Sequence, residues 1–243
     1  MPLHALIPAA GSGTRLGAPA PKQYLALRDR PMLWHSVCAL MHPRVETVFV
    51  VLSPGDTQFA AIDWRAFAGR VEPLYCGGAT RRDSVYNGLV AATDVMEPDD
   101  WVLVHDAARP CLPKTDLDLL IAGVEDDEVG GILALPVADT VKRVATETGT
   151  SPRIAGTEDR AALWLAQTPQ MFRYATLMSA LQAAKDPVTD EASAVEQLGL
   201  RPRIVPGSRE NIKVTYPEDV GMADAILARR GAQGRPGADK GKA

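Results

Sequence analysis

The sequence lacks the paired cysteines of a secreted scaffold. Its three cysteines, Cys38, Cys76 and Cys111, are scattered, and none forms a C-x-x-C pair, so neither a disulfide framework nor a zinc site is expected. Such thiols suit a reducing compartment, and the chain is expected to be cytoplasmic. A basic excess is missing too: the formal net charge is -4, which argues against a dedicated nucleic-acid binder. An anionic small substrate remains allowed, because the placement of Arg and Lys matters more than their total. No apolar run approaches the roughly twenty residues of a membrane helix. The apolar opening, Leu3 to Ala10, is too short and has no basic leader, so no membrane partner is expected. Internal repeats are also absent.

What is present reads as an α/β protein. The 243 residues are 46% hydrophobic and 23% charged, enough to bury a full core. Leu3–Ala10, Val45–Leu52, Val71–Cys76, Trp101–His105 and Gly131–Val137 are near-continuous apolar runs of strand length, the pattern of buried parallel strands. Helical patterns lie between them. Pro31 suits a first helical turn, with Leu33, Val37, Leu40 and Met41 following at helical spacing. A second helix is expected from about Arg82 to Met96 and a third over Lys114–Val124. This alternation predicts a mostly parallel sheet with helices on both faces.

Beyond Val137 the chain turns polar and β-branched, with turn signals at Thr148-Gly149 and Ser151-Pro152. A projecting hairpin arm over about residues 137–165 is expected. It would bury little of its own surface, and a second subunit is the natural support. Helices are expected again over Tyr174–Lys185 and Asp190–Leu198. A last one is marked by Pro217, by the capping-box spacing of Thr215 and Glu218, and by Arg229-Arg230 before Gly231. Residues 1–230 are expected to form one domain. The tail, residues 231–243, carries no apolar residue larger than alanine or proline and is expected to be disordered.

The segment PAAGSGTRLGAPAPKQY follows the first strand, where α/β proteins place ligand loops. Small residues let backbone N–H groups approach a phosphate chain. Two commoner phosphate loops are excluded. The dinucleotide pattern needs glycine where Leu16 stands, and no G-K-[ST] follows for a P-loop. Pro19 and Pro21 also forbid the helix both patterns require next. What remains is a proline-stiffened loop with two cations, Arg15 and Lys22. Taken alone, it is a phosphate-binding turn or a plain glycine-rich turn with solvated charges.

Leu6–Gly17 followed by Pro21-Lys22-Gln23-Tyr24 resembles the signature of the 2-C-methyl-D-erythritol 4-phosphate cytidylyltransferases of isoprenoid-precursor synthesis. The resemblance continues in order over about residues 3–230. It takes in Gly77-Gly78 with Arg81 and Asp83-Ser84-Val85, then His105-Asp106-Ala107-Ala108-Arg109-Pro110. Next come Asp139-Thr140, Asp159-Arg160 and Gln167-Thr168-Pro169-Gln170. Thr189-Asp190-Glu191-Ala192 and Asn211-Ile212-Lys213-Val214-Thr215 close the series. One departure is Ala79-Thr80, where many relatives carry an acidic residue. The resemblance implies a modified dinucleotide-binding-like fold of the nucleotide-diphospho-sugar transferase type, and a homodimer that embraces through its β-arms.

It also implies a reaction: CTP and 2-C-methyl-D-erythritol 4-phosphate give 4-diphosphocytidyl-2-C-methyl-D-erythritol and pyrophosphate. By the same resemblance Arg15, Lys22, Arg160 and Lys213 are catalytic. Pro8, Ala9, Ala10, Gly11, Ser12 and Gly13 cover the triphosphate, and Gly78, Ser84, Asp106 and Ala107 complete the CTP side. Asp106, Arg109, Thr140, Thr189 and Lys213 face the polyol phosphate, with Arg160 reaching in from the partner subunit. Mg²⁺ is implied, at Asp106 or through the CTP phosphates. A ribitol 5-phosphate cytidylyltransferase is the neighbouring alternative, and a non-catalytic nucleotide-binding regulator the alternative of another class. His105 reads as a packed strand-end residue, and His4, His35 and His42 show no metal-ligand grouping.

Overall fold

A computed structural model describes residues 1–11, 21–145 and 151–233. The core is a seven-stranded sheet whose strands lie side by side in the order β11 (Arg203–Pro206), β7 (Gly130–Pro136), β10 (Trp164–Arg173), β6 (Trp101–Val104), β1 (Leu3–Pro8), β4 (Val45–Val51) and β5 (Val71–Leu74). Its first half is built from β1 (Leu3–Pro8), β4 (Val45–Val51), β5 (Val71–Leu74) and β6 (Trp101–Val104), all parallel. These are the first four expected apolar runs, each ending one or two residues early because the last residues leave the sheet to form loops. A small antiparallel pair, β2 (Ala26–Leu27) and β3 (Arg30–Pro31), precedes α1 (Met32–Ala39). Pro31 serves as the N-cap of α1 and the helix begins one residue later.

The second half is β7 (Gly130–Pro136), β10 (Trp164–Arg173) and β11 (Arg203–Pro206). Neither β10 nor β11 was expected from the sequence. β10 lies antiparallel between β6 and β7, so the sheet is mostly parallel with one reversed central strand. The hairpin arm is present as β8 (Lys142–Ala145) paired with β9 (Arg153–Thr157), and nearly all its residues are exposed.

Helices cover both faces because each strand alternates its side chains. On β1, Leu3, Ala5 and Ile7 join one core cluster with Leu33 and Val37 of α1 and with Leu117, Leu120 and Ile121 of α3 (Lys114–Val124). Leu6 points the other way, toward Val85 and Leu89 of α2 (Arg81–Ala91). That second cluster also takes Leu177 and Leu181 of α4 (Tyr174–Ala183) and Val195 of α5 (Glu191–Glu196). Each such buried side chain stabilises the fold by about 1.5–3 kcal/mol. The last helix, α6 (Pro217–Gln233), packs through Ala223 on Leu27, Met32 and Val214.

Two local expectations change. The Thr215–Glu218 capping box does not form. Instead, Asp219 accepts from the backbone N–H groups of Thr215 and Tyr216, both at 2.8 Å, and the Thr215 hydroxyl donates to Lys213 O. A carboxylate one residue further on reaches those free amides better than the expected pair. The helix also continues through Gly231 to Gln233. The rest of the expected tail, residues 234–243, lies outside the described residues.

Candidate active site

The chain order of the strands creates the site. After β1 the chain builds outward to β4 and β5, then crosses back to lay β6 on the other side of β1. This reversal leaves a crevice beyond the carboxyl ends of β1 and β6, where open α/β sheets bind ligands. A cleft of about 520 Å³ opens there. Its floor comes from the ends of β1 (Pro8, Ala9, Ala10, Gly11) and β6 (Asp106, Ala107). Gly78 and Ser84 line one wall, and Lys22 and Lys213 line another.

The two glycines after β5 are required by packing. A Cβ on Gly77 would lie 2.2 Å from the Ala10 Cβ and 2.8 Å from the Leu52 carbonyl oxygen. One on Gly78 would lie 2.4 Å from the Asp83 Cβ. The turn can therefore press against the loop and against the start of α2 only without side chains. Its shape is then fixed by hydrogen bonds. The Gly78 N–H donates to Ser84 Oγ at 3.1 Å, and that hydroxyl donates to Thr80 O at 2.9 Å. Thr80 and Asp83 form a full capping box at the helix start, and Asn87 donates to Cys76 O.

Lys22 stands on a single 3-10 turn, Lys22–Tyr24, and its Nζ donates to Val214 O at 3.0 Å, beside Lys213. Gln23, 5% exposed, donates to Ala9 O at 2.7 Å and ties this turn to the floor of the cleft. Tyr24 donates to Asp56 at 2.7 Å.

Asp106 is the electrostatic centre. Its Oδ1 accepts from Arg81 Nε at 2.9 Å and its Oδ2 pairs with Lys213 Nζ at 2.7 Å. Burial pushes this carboxyl upward, but Arg81 and Lys213 outweigh it and hold the group well below the usual carboxylate range. Arg81 also forks onto Glu191 at 2.6 and 3.0 Å. Burial works against its charge, yet Glu191 and Asp106 raise its pKa further. Behind Asp106, His105 is fully buried. Its Nε2 faces Arg109 O and its Nδ1 faces the Thr168 hydroxyl, both at 3.0 Å, and the same hydroxyl accepts from Asp106 N–H. Among the described residues no cluster of three His, Cys, Asp or Glu could cage a metal ion.

The remaining sequence candidates fall elsewhere. Arg15, Ser12 and Gly13 lie outside the described residues. Arg109 is buried and turned inward: it donates to Asn211 O at 2.6 Å and to Ala166 O at 3.4 Å, and lies 3.9 Å from Asp106. It therefore does not line the cleft. Thr140 and Thr189 are placed outside the cleft lining. Arg160 is exposed at the root of the arm and donates to Ala138 O; it too is not part of the cleft lining. Arg81, Glu191 and Gln23 had no role from the sequence. For Arg81 the signal was a cation at a capped helix start; burial of Glu191 and Gln23 had no local sign.

Comparison with known proteins follows the same lines. A model of the family "2-C-methyl-D-erythritol 4-phosphate cytidylyltransferase" matches residues 3–229. The chain is 51% identical to the Thiobacillus denitrificans protein of that name over 233 residues, covering 96% of this chain and 100% of the other. It is 54% identical to the Nitrosospira multiformis one over 227 residues, covering 92% and 96%. Among solved structures it is similar to a 4-diphosphocytidyl-2C-methyl-D-erythritol synthase, with a TM-score of 0.80, 42% identity, and 93% and 98% of the two chains covered. The Thermus thermophilus cytidylyltransferase gives a TM-score of 0.73 at 29% identity, with 92% and 98% covered.

Proposed function

Since the chain belongs to the 2-C-methyl-D-erythritol 4-phosphate cytidylyltransferase family, we propose a division of labour for its cleft. The enzyme joins CTP to 2-C-methyl-D-erythritol 4-phosphate, giving 4-diphosphocytidyl-2-C-methyl-D-erythritol and pyrophosphate in isoprenoid biosynthesis. A phosphate oxygen of the polyol substrate bonds to the α-phosphorus of CTP, and the bond from that phosphorus to the β-phosphate breaks. A phosphate monoester with a second pKa near ~6 is already mostly dianionic at neutral pH, so no general base is needed. The obstacle is charge: an anion must approach a polyanion. Fixed cations that need no reorganisation lower that barrier.

One observation carries the assignment. Lys22 and Lys213, brought from distant parts of the chain, line the same cleft beside its small-residue floor, and the Lys22 bond to Val214 O ties their two segments together. We assign Lys22, with Arg15, to the α-phosphate and the leaving group. The Pro8–Gly13 segment takes the triphosphate, and Gly78 and Ser84 with Ala107 take cytosine and ribose. Lys213, oriented by Asp106, takes the phosphate of the second substrate; Thr140 and Thr189, outside the lining of the free chain's cleft, are assigned to the polyol by the family resemblance alone. Arg109 contributes from behind by holding Asn211 O, two residues before Lys213.

Mg²⁺ fits this donor set. It usually binds through one or two carboxylates plus substrate phosphates. Asp106 is an ionised carboxylate at the cleft, but both its oxygens already meet cations. The CTP phosphates would therefore hold the ion. When bound, it neutralises phosphate charge.

Residues 1–230 act as one catalytic unit, and the arm supports assembly as a homodimer. Val144 and Ile154 on the hairpin are 46% and 68% exposed, and Leu165 at its root is 58% exposed, an apolar surface that a second subunit would cover. Arg160, absent from the cleft of its own chain, would then serve the partner's. Unpaired cysteines support a cytoplasmic setting, and no described helix is long and apolar enough to cross a membrane. The deciding assay follows pyrophosphate release from CTP with Mg²⁺ and the methylerythritol phosphate. Release that depends on both substrates is expected, and none with either the methylerythritol or the ribitol phosphate would end the cytidylyltransferase reading.

A further inference from the structure

A buried charge stands behind the cleft that the assignment above leaves unused. Glu191, the first residue of α5, has a side chain only 1% exposed and receives both arms of the Arg81 guanidinium. The same Arg81 holds Asp106, and Asp106 holds Lys213. One guanidinium thus joins the start of α2, the end of β6 and the start of α5. Helix capping does not account for this. The start of α5 is already closed by the Asp190–Ser193 box, and Gln170 ties it to β10 through Asp190 Oδ2 and Ala192 N–H, both at 2.8 Å. Stability alone does not account for it either, since buried ion pairs are often replaced by apolar residues without loss. What the bridge adds is geometry. Thr189 lies two residues before Glu191, and Lys213 lies one ion pair beyond Asp106.

We propose that Arg81 and Glu191 are positioning residues for the second substrate: their bridge sets Lys213, through Asp106, and the Thr189 segment in register with the CTP half. This rests on the functional reading above. Arg81 itself lines the cleft beside this wall, but the backbone of the wall is held without the bridge, because Thr80, Asp83, Ser84 and Asn87 fix it among themselves and to Gly78 and Cys76. Loss of the bridge therefore acts on one substrate selectively.

The test is steady-state kinetics of the double variant Arg81→Met with Glu191→Met, which removes both charges of the bridge together. Glu191→Gln, equal in size and still an acceptor for Arg81, is measured beside it in case the double variant fails to fold. Wild-type turnover with CTP and the methylerythritol phosphate is read first; its absence removes the functional reading and this inference with it. With the wild type active, the double variant is expected to raise the KM for the polyol phosphate about tenfold or more and that for CTP less than about threefold, at a nearly unchanged Tm. Glu191→Gln is expected to shift the same constant by less. Equal changes in both KM values, or none in either, in whichever variant keeps the native circular-dichroism spectrum, overturn the inference.

Discussion

At the residue scale, His105 links the site to acid stability. Burial lowers its pKa from 6.5 to about 4, and the neutral ring fits its two partners, donating to Arg109 O and accepting from Thr168. The unfolded chain takes up a proton near pH 6.5, and the folded chain waits until about 4. The stabilisation is therefore complete above the upper value and is lost as pH falls through that window. At 1.36 kcal/mol per unit it amounts to about 3 kcal/mol. Thermal denaturation across pH 4–7 should show a shallower slope for His105→Gln than for wild type; equal slopes would remove His105 from this role. His4 and His35, also lowered by burial, are present in both proteins and cancel. Gly77→Ala is a second case. Its methyl group must push Ala10 or Leu52 aside, so a loss of about 1–3 kcal/mol is expected, with a raised KM for CTP. An unchanged Tm and KM would contradict the close approach. Of the cleft lining, Ala9–Gly11, Gly78 and Lys22 were legible because small residues and a cation beside a strand end have a local signature. Glu191 was not, because an acid at a helix start reads as a dipole partner until its burial is known.

At the element scale, β10 explains what the sequence hid. Its middle, Gln167-Thr168-Pro169-Gln170, is polar and contains a proline, which argues against a central strand. Pro169 is tolerated because the pairing with β7 is irregular between Ala166 and Gln170. Two of the polar residues are satisfied by the site they support: Thr168 by Asp106 and His105, Gln170 by Asp190 and Ala192. The parallel strands other than β11 were legible as apolar runs, and the arm as the polar, β-branched stretch that follows them. The arm itself is a two-stranded hairpin, which is marginal alone. Ile154→Asp should leave the far-ultraviolet spectrum intact, yield a monomer by light scattering and abolish turnover. A dimer with normal activity would show that the hairpin does not carry the interface.

At the scale of the whole molecule, the proposed sharing of Arg160 between subunits makes a quantitative demand. Lys22→Ala and Arg160→Ala chains are each expected to be nearly inactive. Mixed and allowed to exchange, half the dimers become hybrids, and each hybrid holds one site with both native residues and one with neither. Activity should recover to about a quarter of wild type. No recovery, with exchange verified by mass spectrometry, would return Arg160 to its own subunit. The reversed strand has one more consequence, in the order of synthesis. As the chain leaves the ribosome, β6 pairs with β1 on one side, but its other edge, and both edges of β7, stay open until β10 and β11 emerge. Truncation before residue 164 would leave a bare parallel sheet edge, the usual template for aggregation. The catalytic floor is thus among the first parts made and among the last made safe.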